Sequence, residues 1–212
     1  MRVNLQARAA TAEQRRLRTR ERLLDAAERV VAEKGVEDAT IEEFVAAAGV
    51  SRGTFYNYFP TAADLLHALN SRVSGDLDRR LEQLTGHIDD CVQRLAAIFH
   101  TVLATTVGEP VTGWVAAQIA GSRVPRQRVF EDRFAATYRE GVACGRFRDV
   151  DMTAAYTIAF GSMRMAQRDL AAGAALPAQG VQLVALILAA YGVPFEEAER
   201  ISREEASAAL AG

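Results

Sequence analysis

Two short runs of residues 40–59 place their hydrophobic positions at helical spacing. Apolar side chains occupy positions i, i+3, i+4 and i+7 of the first run, namely Ile41, Phe44, Val45 and Ala48. Gly49 interrupts the repeat, and Phe55 and Phe59 lie four residues apart in the second run. Thr40 and Ser51 each precede a run and are residues that cap helix N-termini. The pattern predicts two short helices joined by a glycine turn, which is a helix-turn-helix.

The helix of the second run should expose a set of mainly polar residues on the side opposite its buried residues. We expect this set to be exposed, and it consists of Arg52, Gly53, Thr54, Tyr56, Asn57 and Tyr58. A guanidinium group can read guanine in the major groove, a threonine methyl can contact thymine, and glycine allows a close backbone approach. Hydroxyl and amide groups further along suit phosphate oxygens. The alternative is that the aromatic residues only pack in the core, but neighbouring positions on a helix cannot all point inward.

Helical periodicity continues on both sides of this motif. The first helix is expected over residues 12–34, ending at Gly35, and Thr61 with Asp64 forms a capping-box pattern that opens a helix over 61–80. Gly or Pro separates the remaining predicted helices, which cover 87–107, 111–121, 125–144, 152–172, 179–191 and 195–210. The sequence therefore predicts an all-α protein of about nine or ten helices, with a disordered basic arm at 1–11, a helix-turn-helix domain at 12–60 and a helical bundle at 61–212.

Charge is distributed unevenly although the 212 residues carry a formal net charge of only −2. Seven arginines and two glutamates fall within residues 1–22, a balance of +5. A cationic segment beside a helix-turn-helix favours attraction to phosphate over the simpler function of a solubilising tail.

The rest of the chain shows no pattern typical of catalysis, cofactor binding or membrane insertion. The three histidines lack the spacing of a zinc site, and Cys91 and Cys144 have no ligand partners at metal spacing. Motifs of nucleotide-binding loops and serine hydrolases are absent from the sequence. The longest apolar run is too short for a bilayer, and no secretory signal is apparent. We therefore expect a cytoplasmic protein that is not an enzyme and has no cofactor or metal.

The stretch Gly-Val-Ser-Arg-Gly-Thr-Phe-Tyr-Asn-Tyr-Phe-Pro-Thr-Ala-Ala-Asp-Leu-Leu resembles the DNA-binding domain of the TetR family of bacterial transcriptional regulators. The resemblance covers roughly the first third of the chain and makes the second short helix the recognition helix. It implies contacts to double-stranded DNA by Thr40, Ser51, Arg52, Gly53, Thr54, Tyr56, Asn57, Tyr58 and Thr61. One position departs from the family pattern, because Ala62 stands where members commonly carry a phosphate-contacting lysine.

The same resemblance implies that the C-terminal helices hold a small effector and pair two subunits. Aromatic residues on successive helices, with polar groups among them, suggest a pocket formed by Phe99, Leu103, Trp114, Gln118, Phe130, Phe134, Tyr138, Tyr156, Phe160 and Met163. The alternative is that these residues form packed core. Apolar stripes and small residues suggest a homodimer interface at Ala154, Ala155, Gly161, Val181, Val184, Leu188 and Tyr191.

The resemblance implies a regulator, most commonly a repressor, that leaves a palindromic operator when a small molecule binds, and the residues themselves do not distinguish repression from activation. Two recognition helices reading a palindrome need a two-fold axis and a separation of roughly 34 to 36 Å. A helix-turn-helix regulator controlled by a protein partner is the alternative hypothesis, and it predicts no ligand effect.

Overall fold

All regular secondary structure in the described part of the chain is helical. The computed structural model describes residues 5–121, 129–174 and 177–211, which form ten helices and no strand. The helices are α1 Leu5–Lys34, α2 Ile41–Ala48, α3 Arg52–Tyr56, α4 Ala62–Thr85, α5 Cys91–Gly108, α6 Pro110–Gly121, α7 Val129–Ala143, α8 Met152–Ala171, α9 Pro177–Ala190 and α10 Phe195–Ala211. The prediction of an all-α fold is confirmed.

Two helices begin at positions that the periodicity does not indicate. Helix α1 begins at Leu5, although residues up to 11 were expected to be disordered. This segment is rich in alanine and contains no glycine or proline, so it favours helix. Helix α5 begins at Cys91 because Asp90 caps it, accepting a 2.8 Å hydrogen bond from the backbone N–H of Gln93. Residues 1–4 of the predicted arm lie outside the described residues.

The hydrophobic side chains divide into two clusters, which we call the N-terminal core and the C-terminal core. The N-terminal core contains Leu23, Leu24, Ala26, Ala27, Val30, Val31, Val36, Phe44, Ala48, Phe55, Phe59, Leu65, Leu66, Leu69, Val73 and Val115. The C-terminal core lies among α5 and α7 to α10, and its largest members are Phe99, Phe134, Tyr138, Phe147 and Tyr191. Helix α4 contributes to the N-terminal core and packs Leu77 against the C-terminal core, so it joins the two.

A charged cluster ties α1 to α4 and α6. The Arg72 guanidinium lies 2.8 Å from the Asp25 carboxylate and 2.7 Å from that of Glu28. Glu28 also accepts a 2.7 Å hydrogen bond from the Thr112 hydroxyl at the start of α6. These neighbours raise the pKa of Arg72 although burial opposes the shift. Because the Arg72 side chain is only 25% exposed, its ion pairs are screened less than ordinary surface pairs.

Helix α5 occupies the centre of the bundle. By length and composition alone it could cross a membrane, but 67% of it is buried within the fold. Its polar residues are paired internally, as with His100, whose Nε2 lies 2.8 Å from the Ser202 hydroxyl of α10. That hydroxyl donates to the Val181 carbonyl at 2.8 Å, so the imidazole N–H donates to Ser202.

Protonation of His100 is expected to destabilise the protein in mild acid. Burial lowers the pKa of His100 from 6.5 to about 4, so between these values the unfolded chain binds more protons than the folded chain. The free energy of unfolding should therefore fall as pH falls through this window, and His100 accounts for about 2 kcal/mol of the loss at pH 5. Urea unfolding of wild type and His100→Gln across this range measures the effect.

The matched control for that measurement is His87→Gln, since His87 is exposed on the loop before α5. The free energy of unfolding of His87→Gln should depend on pH as that of wild type does. That of His100→Gln should depend less on pH. Identical pH dependence in wild type and His100→Gln would show that His100 has the same proton affinity in both states.

Candidate DNA-binding surface and internal cavities

Local capping interactions build the helix-turn-helix. The Thr40 hydroxyl accepts from the Glu43 backbone N–H at 3.4 Å, and the Glu43 carboxylate accepts from the Thr40 N–H at 3.0 Å. Gly49 ends α2 with φ of +62°, a left-handed conformation that favours glycine. The Ser51 hydroxyl then caps α3 by accepting from the Thr54 N–H at 3.0 Å. The turn residues of the sequence thus fix the angle between the two short helices.

Helix α3 ends at Tyr56, before Phe59, and exposes the predicted face. Phe55 and Phe59 are 0% and 4% exposed in the N-terminal core. Arg52, Gly53 and Asn57 are exposed, and Tyr56 keeps 46% of its surface. Of the remaining predicted contacts on this segment, Thr54 and Tyr58 are half-buried. A contiguous polar surface therefore lies on α3 and on the turn that follows it.

Arg52 is held within this surface by neighbouring groups. Its Nη1 lies 2.8 Å from the Glu42 carboxylate of α2, and both side chains are more than half exposed. Hydrogen bonding with Tyr56, and then the charge of Glu42, raise the pKa of Arg52. The guanidinium therefore remains a cation at the N-terminal end of α3.

Three predicted contact residues have structural functions as helix caps. Thr40 and Ser51 cap α2 and α3, and Thr61 caps α4 by accepting from the Asp64 N–H at 3.1 Å. All three are exposed, so their assignment as DNA contacts stays a prediction. Ala62, which replaces the common lysine, is half-buried and packs against the N-terminal core.

Arginines of α1 lie beside α3, and Arg15 and Arg16 fall within residues 12–34, where the sequence predicts the first helix. An open cleft of about 840 Å³ separates the two helices, and its lining consists of Thr11, Ala12, Arg15, Arg16, Thr19, Thr54, Asn57 and Tyr58. Other arginines of α1 hold the motif together. Arg22 donates to the Ala48 carbonyl at 2.6 Å, and Arg29 donates to that of Ala47 at 3.1 Å.

The predicted ligand-pocket residues with described side chains mostly pack against one another. Phe134 is the centre of this group, with its ring centroid 5.1 to 6.2 Å from those of Phe99, Tyr138, Tyr156, Phe160 and Tyr191. Leu103 and Met163 belong to the same C-terminal core, and Trp114 is half-buried on α6. Gln118 and Phe130 lie outside the residues whose side chains are described. The assignment of these residues to a ligand pocket stays a prediction.

A cavity of about 280 Å³ opens between α4, α5, α6 and α8, and no aromatic residue is among its described lining. Its lining consists of Val73, Asp76, Leu77, Arg79, Arg80, Gln83, Val102, Thr105, Thr106, Glu109, Thr112, Gly113, Ala116 and Gln167. Helices α5 and α6 approach closely here, since a Cβ on Gly113 would lie 2.6 Å from the Thr106 Cα. The apolar periodicity of the sequence did not identify this cavity, although Thr105 and Thr106 interrupt an apolar helix and are a polar signal for it.

Charges around the cavity are paired, whereas the groups inside are neutral. Arg80 lies 3.1 Å from the Glu109 carboxylate, and Arg79 pairs with Asp76. Inside, the buried Gln167 amide donates to the Thr106 hydroxyl at 3.3 Å, and that hydroxyl donates to the Val102 carbonyl at 3.1 Å. The cavity thus offers hydrogen-bonding groups without an unpaired charge among these residues.

Four of the seven predicted interface residues have no surface left for a partner. Ala155, Val184, Leu188 and Tyr191 are 0% exposed, because the apolar stripes of α8 and α9 face the C-terminal core. Ala154 and Gly161 are exposed, and Val181 is half-buried. The opposite faces of α8 and α9 expose apolar residues that were not predicted as interface, namely Ile158, Met165 and Leu186, which are 42%, 50% and 58% exposed.

No group of three or more His, Cys, Asp or Glu side chains could hold a metal ion within the described part of the chain.

Comparison with known proteins identifies a family model and relatives that match the N-terminal helices. The sequence model of the N-terminal domain of bacterial regulatory proteins, tetR family, matches residues 23–69, which include α2, α3 and the start of α4. The chain is 37% identical over 68 residues to the uncharacterized HTH-type transcriptional regulator YvdT of Bacillus subtilis. It is 37% identical over 83 residues to the HTH-type transcriptional repressor LfrR of Mycolicibacterium smegmatis. These segments cover 32% and 38% of this chain, and the chain spans 34% and 43% of the length of the two relatives.

Solved structures extend the likeness to the whole fold. The structure of RolR with resorcinol has a TM-score of 0.64 and 26% identity, covering 90% of this chain and 95% of RolR. CprB from S. coelicolor A3(2), a TetR family protein, has a TM-score of 0.67 and 21% identity, covering 92% and 98% of the two chains. The matching family model describes bacterial regulatory proteins, and both sequence relatives, YvdT and LfrR, are named as regulators of transcription. The N-terminal helices thus match the sequence model of bacterial regulatory proteins, tetR family, over residues 23–69, and the whole fold resembles that of RolR.

Proposed function

We propose that this protein is a homodimeric repressor that binds a palindromic DNA operator and leaves it when a small molecule enters the C-terminal bundle. The observation that carries the proposal is the exposed polar surface on and after α3, held by buried Phe55 and Phe59. A rigid core beneath and polar groups above are what a recognition helix needs in order to enter the major groove. Such a repressor acts in the cytoplasm, where bacterial DNA lies, and has no membrane partner.

In the proposed complex α3 reads bases while α1 binds the phosphate backbone. The Arg52 guanidinium donates two hydrogen bonds to the edge of a guanine base. Thr54 and Tyr56 contact neighbouring bases or phosphates. Arg15 and Arg16 line the same cleft as Thr54 and Tyr58, so a phosphate in this cleft meets both helices. The arginines compensate for the lysine that Ala62 replaces, and they make the affinity depend strongly on salt.

The proposed dimer forms through the outer faces of α8 and α9. These faces expose Ile158, Met165 and Leu186, and a shallow apolar groove of about 270 Å³ between the two helices includes Met165 and Leu183. Burying such a patch against its two-fold copy removes apolar surface from water on both subunits. Predicted contacts at Ala154 and Gly161, which are exposed on α8, belong to this interface, since small residues allow the helices to approach closely.

The proposed effector is a small uncharged ring that carries hydroxyl groups. The cavity of about 280 Å³ supplies Thr105, Thr106 and Gln167 as hydrogen-bonding groups, and its arginines are paired with carboxylates. RolR, which shares the fold, binds resorcinol, a single aromatic ring with hydroxyl groups. A long acyl chain would not fit a space of this size.

Helix α6 is the proposed link between the cavity and the DNA-binding domain. Thr112 lines the cavity and donates its hydroxyl to Glu28 of α1, and Val115 of the same helix packs in the N-terminal core. An effector that displaces α6 therefore acts on α1 through a hydrogen bond and through direct packing. To convert a 1:99 population into 99:1, the effector must prefer the released form by about 5.5 kcal/mol.

Filling the cavity should abolish the effector response and preserve DNA binding. Val102 lines the cavity and is 4% exposed, so Val102→Phe places a ring in the space at a cost of about 1–3 kcal/mol in stability. Resorcinol at about 100 times its dissociation constant should raise the Tm of wild type by roughly 5–10 °C and leave that of Val102→Phe unchanged.

Val107→Phe is the matched control, because Val107 is on the same helix, is 39% exposed and does not line the cavity. It should respond to resorcinol as wild type does. No resorcinol-induced rise in the Tm of wild type would refute the proposed effector chemistry, and an equal rise in Val102→Phe would place the site elsewhere.

Selection of bound duplexes from a random DNA library tests the proposed function. The protein should enrich an inverted repeat whose half-site centres lie roughly 34 to 36 Å apart. Enrichment without a repeat would contradict the dimeric operator, and sequence-indifferent binding would favour control by a protein partner.

A further inference from the structure

The two cysteines meet although 53 positions separate them in the chain. Cys91 is the first residue of α5, and Cys144 directly follows the last residue of α7. Their Sγ atoms lie 3.6 Å apart, and both thiols are free. Packing of α5 against α7 therefore creates a dithiol that the sequence spacing does not suggest.

The two thiols differ in exposure, so an oxidant can react with one of them before the other. Cys144 is exposed, whereas Cys91 is 4% exposed and belongs to the C-terminal core. Burial, together with the neighbouring Cys144 thiol, raises the pKa of Cys91 to about 11, so Cys91 stays protonated at neutral pH. An oxidant from solvent therefore reaches the Cys144 thiol before the buried Cys91 thiol.

Only a weak hydrogen bond holds the Cys144 thiol away from Cys91. Cys144 donates its S–H to the Gly141 carbonyl at 3.5 Å, a weak hydrogen bond that is readily broken. Gly145 follows with φ of +74°, and a Cβ atom added to it would have no neighbour within 4 Å. Breaking the weak bond to Gly141 leaves the Cys144 Sγ with the Cys91 Sγ only 3.6 Å away.

We propose that Cys91 and Cys144 form a redox modification site at which a peroxide converts the two thiols into an intramolecular disulfide. The Cys144 thiolate attacks one peroxide oxygen, the O–O bond breaks, and a sulfenic acid forms while the second oxygen leaves as hydroxide, which takes up a proton. The Cys91 sulfur then attacks the sulfenic sulfur, forming the S–S bond and releasing water. Two thiols and one hydrogen peroxide thus give one disulfide and two waters.

The disulfide would link the start of α5 to the end of α7 and close a loop that contains α6. In the chain-entropy description, a cross-link over a loop of this length restricts the unfolded state and stabilises the fold. We expect the Tm to rise by about 5–10 °C on oxidation and to return after treatment with dithiothreitol. This inference does not depend on DNA or effector binding.

The test treats the reduced full-length protein with one equivalent of hydrogen peroxide. Intact mass under non-reducing conditions should show the loss of two hydrogen atoms from a monomeric chain, and titratable thiols should fall from two to none. Two thiols remaining after treatment, or cross-links only between chains, would overturn the proposal.

Single variants separate the functions of the two sulfurs. Cys91→Ser should retain a sulfenic acid at Cys144 that dimedone traps, whereas Cys144→Ser should react with neither peroxide nor dimedone at the same dose. Serine is nearly isosteric with cysteine, and equal Tm values of the reduced proteins establish that both variants fold. Dimedone labelling of Cys144→Ser and not of Cys91→Ser would overturn the assigned order of reaction.

Discussion

Replacing Phe134 with alanine should lower the free energy of unfolding by about 3–5 kcal/mol. Phe134 is 0% exposed, and its ring contacts five other aromatic rings from α5, α7, α8 and the residue that follows α9. Removing the ring loses its transfer free energy and leaves a cavity that the surrounding rings, anchored by hydrogen bonds, cannot fill. The Tyr138 hydroxyl, for example, donates to the Arg148 carbonyl at 2.8 Å. Urea unfolding followed by circular dichroism measures the change.

Val107→Ala is the control for this prediction, since Val107 is an exposed apolar residue of the same bundle. Its effect should stay within about 0.5 kcal/mol. A loss below about 1 kcal/mol for Phe134→Ala would show that the aromatic group is loosely packed. That result would favour the sequence-based prediction that these residues line a ligand pocket.

Replacing Arg52 with alanine should weaken binding to the operator by roughly 5- to 150-fold, equivalent to about 1–3 kcal/mol. A guanidinium that forks onto a guanine edge supplies two charge-assisted hydrogen bonds, and alanine supplies none. The change should relax specificity at one base pair in each half-site. Folding should be little affected, because the Arg52 ion pair with Glu42 is exposed on both sides. Fluorescence anisotropy at fixed salt measures both affinity and specificity.

Two variants control for charge in this experiment. Arg200→Ala removes an equivalent exposed charge on α10, where Arg200 pairs with Glu204, and should leave operator affinity unchanged. Glu42→Gln releases Arg52 from its partner and removes a negative charge near the groove, so it should tighten binding. Equal affinities of wild type and Arg52→Ala would exclude Arg52 from base recognition.

The architecture could be predicted because its signals are local. Spacing of apolar residues identified the helices of the described chain, and Thr40, Ser51 and Thr61 cap α2, α3 and α4 where the sequence placed caps. Gly49 has the left-handed conformation that a glycine turn requires. The exposed side of α3 could be predicted from the spacing of apolar residues, because burial of Phe55 and Phe59 determines which side faces solvent.

Features that depend on several helices at once could not be predicted. Periodicity identifies an apolar stripe but not its neighbour, so Val184 and Leu188 seemed equally suited to a dimer or to the core that contains them. Aromatic spacing likewise does not separate packed rings from a lined void, and the cavity instead lies against Thr105 and Thr106. The approach of Cys91 to Cys144 depends on the packing of α5 against α7. This packing cannot be predicted from the sequence around either cysteine alone.

The most direct test of the central claim compares two duplexes that differ in one half-site. The first carries the inverted repeat recovered by selection, and the second carries the same repeat with one half scrambled. If two copies of the α3 surface read the operator together, affinity for the intact repeat should exceed that for the scrambled duplex by roughly tenfold or more at the same salt concentration, with two chains bound per intact duplex. Equal affinity for both duplexes, or one chain on the intact repeat, would contradict the account.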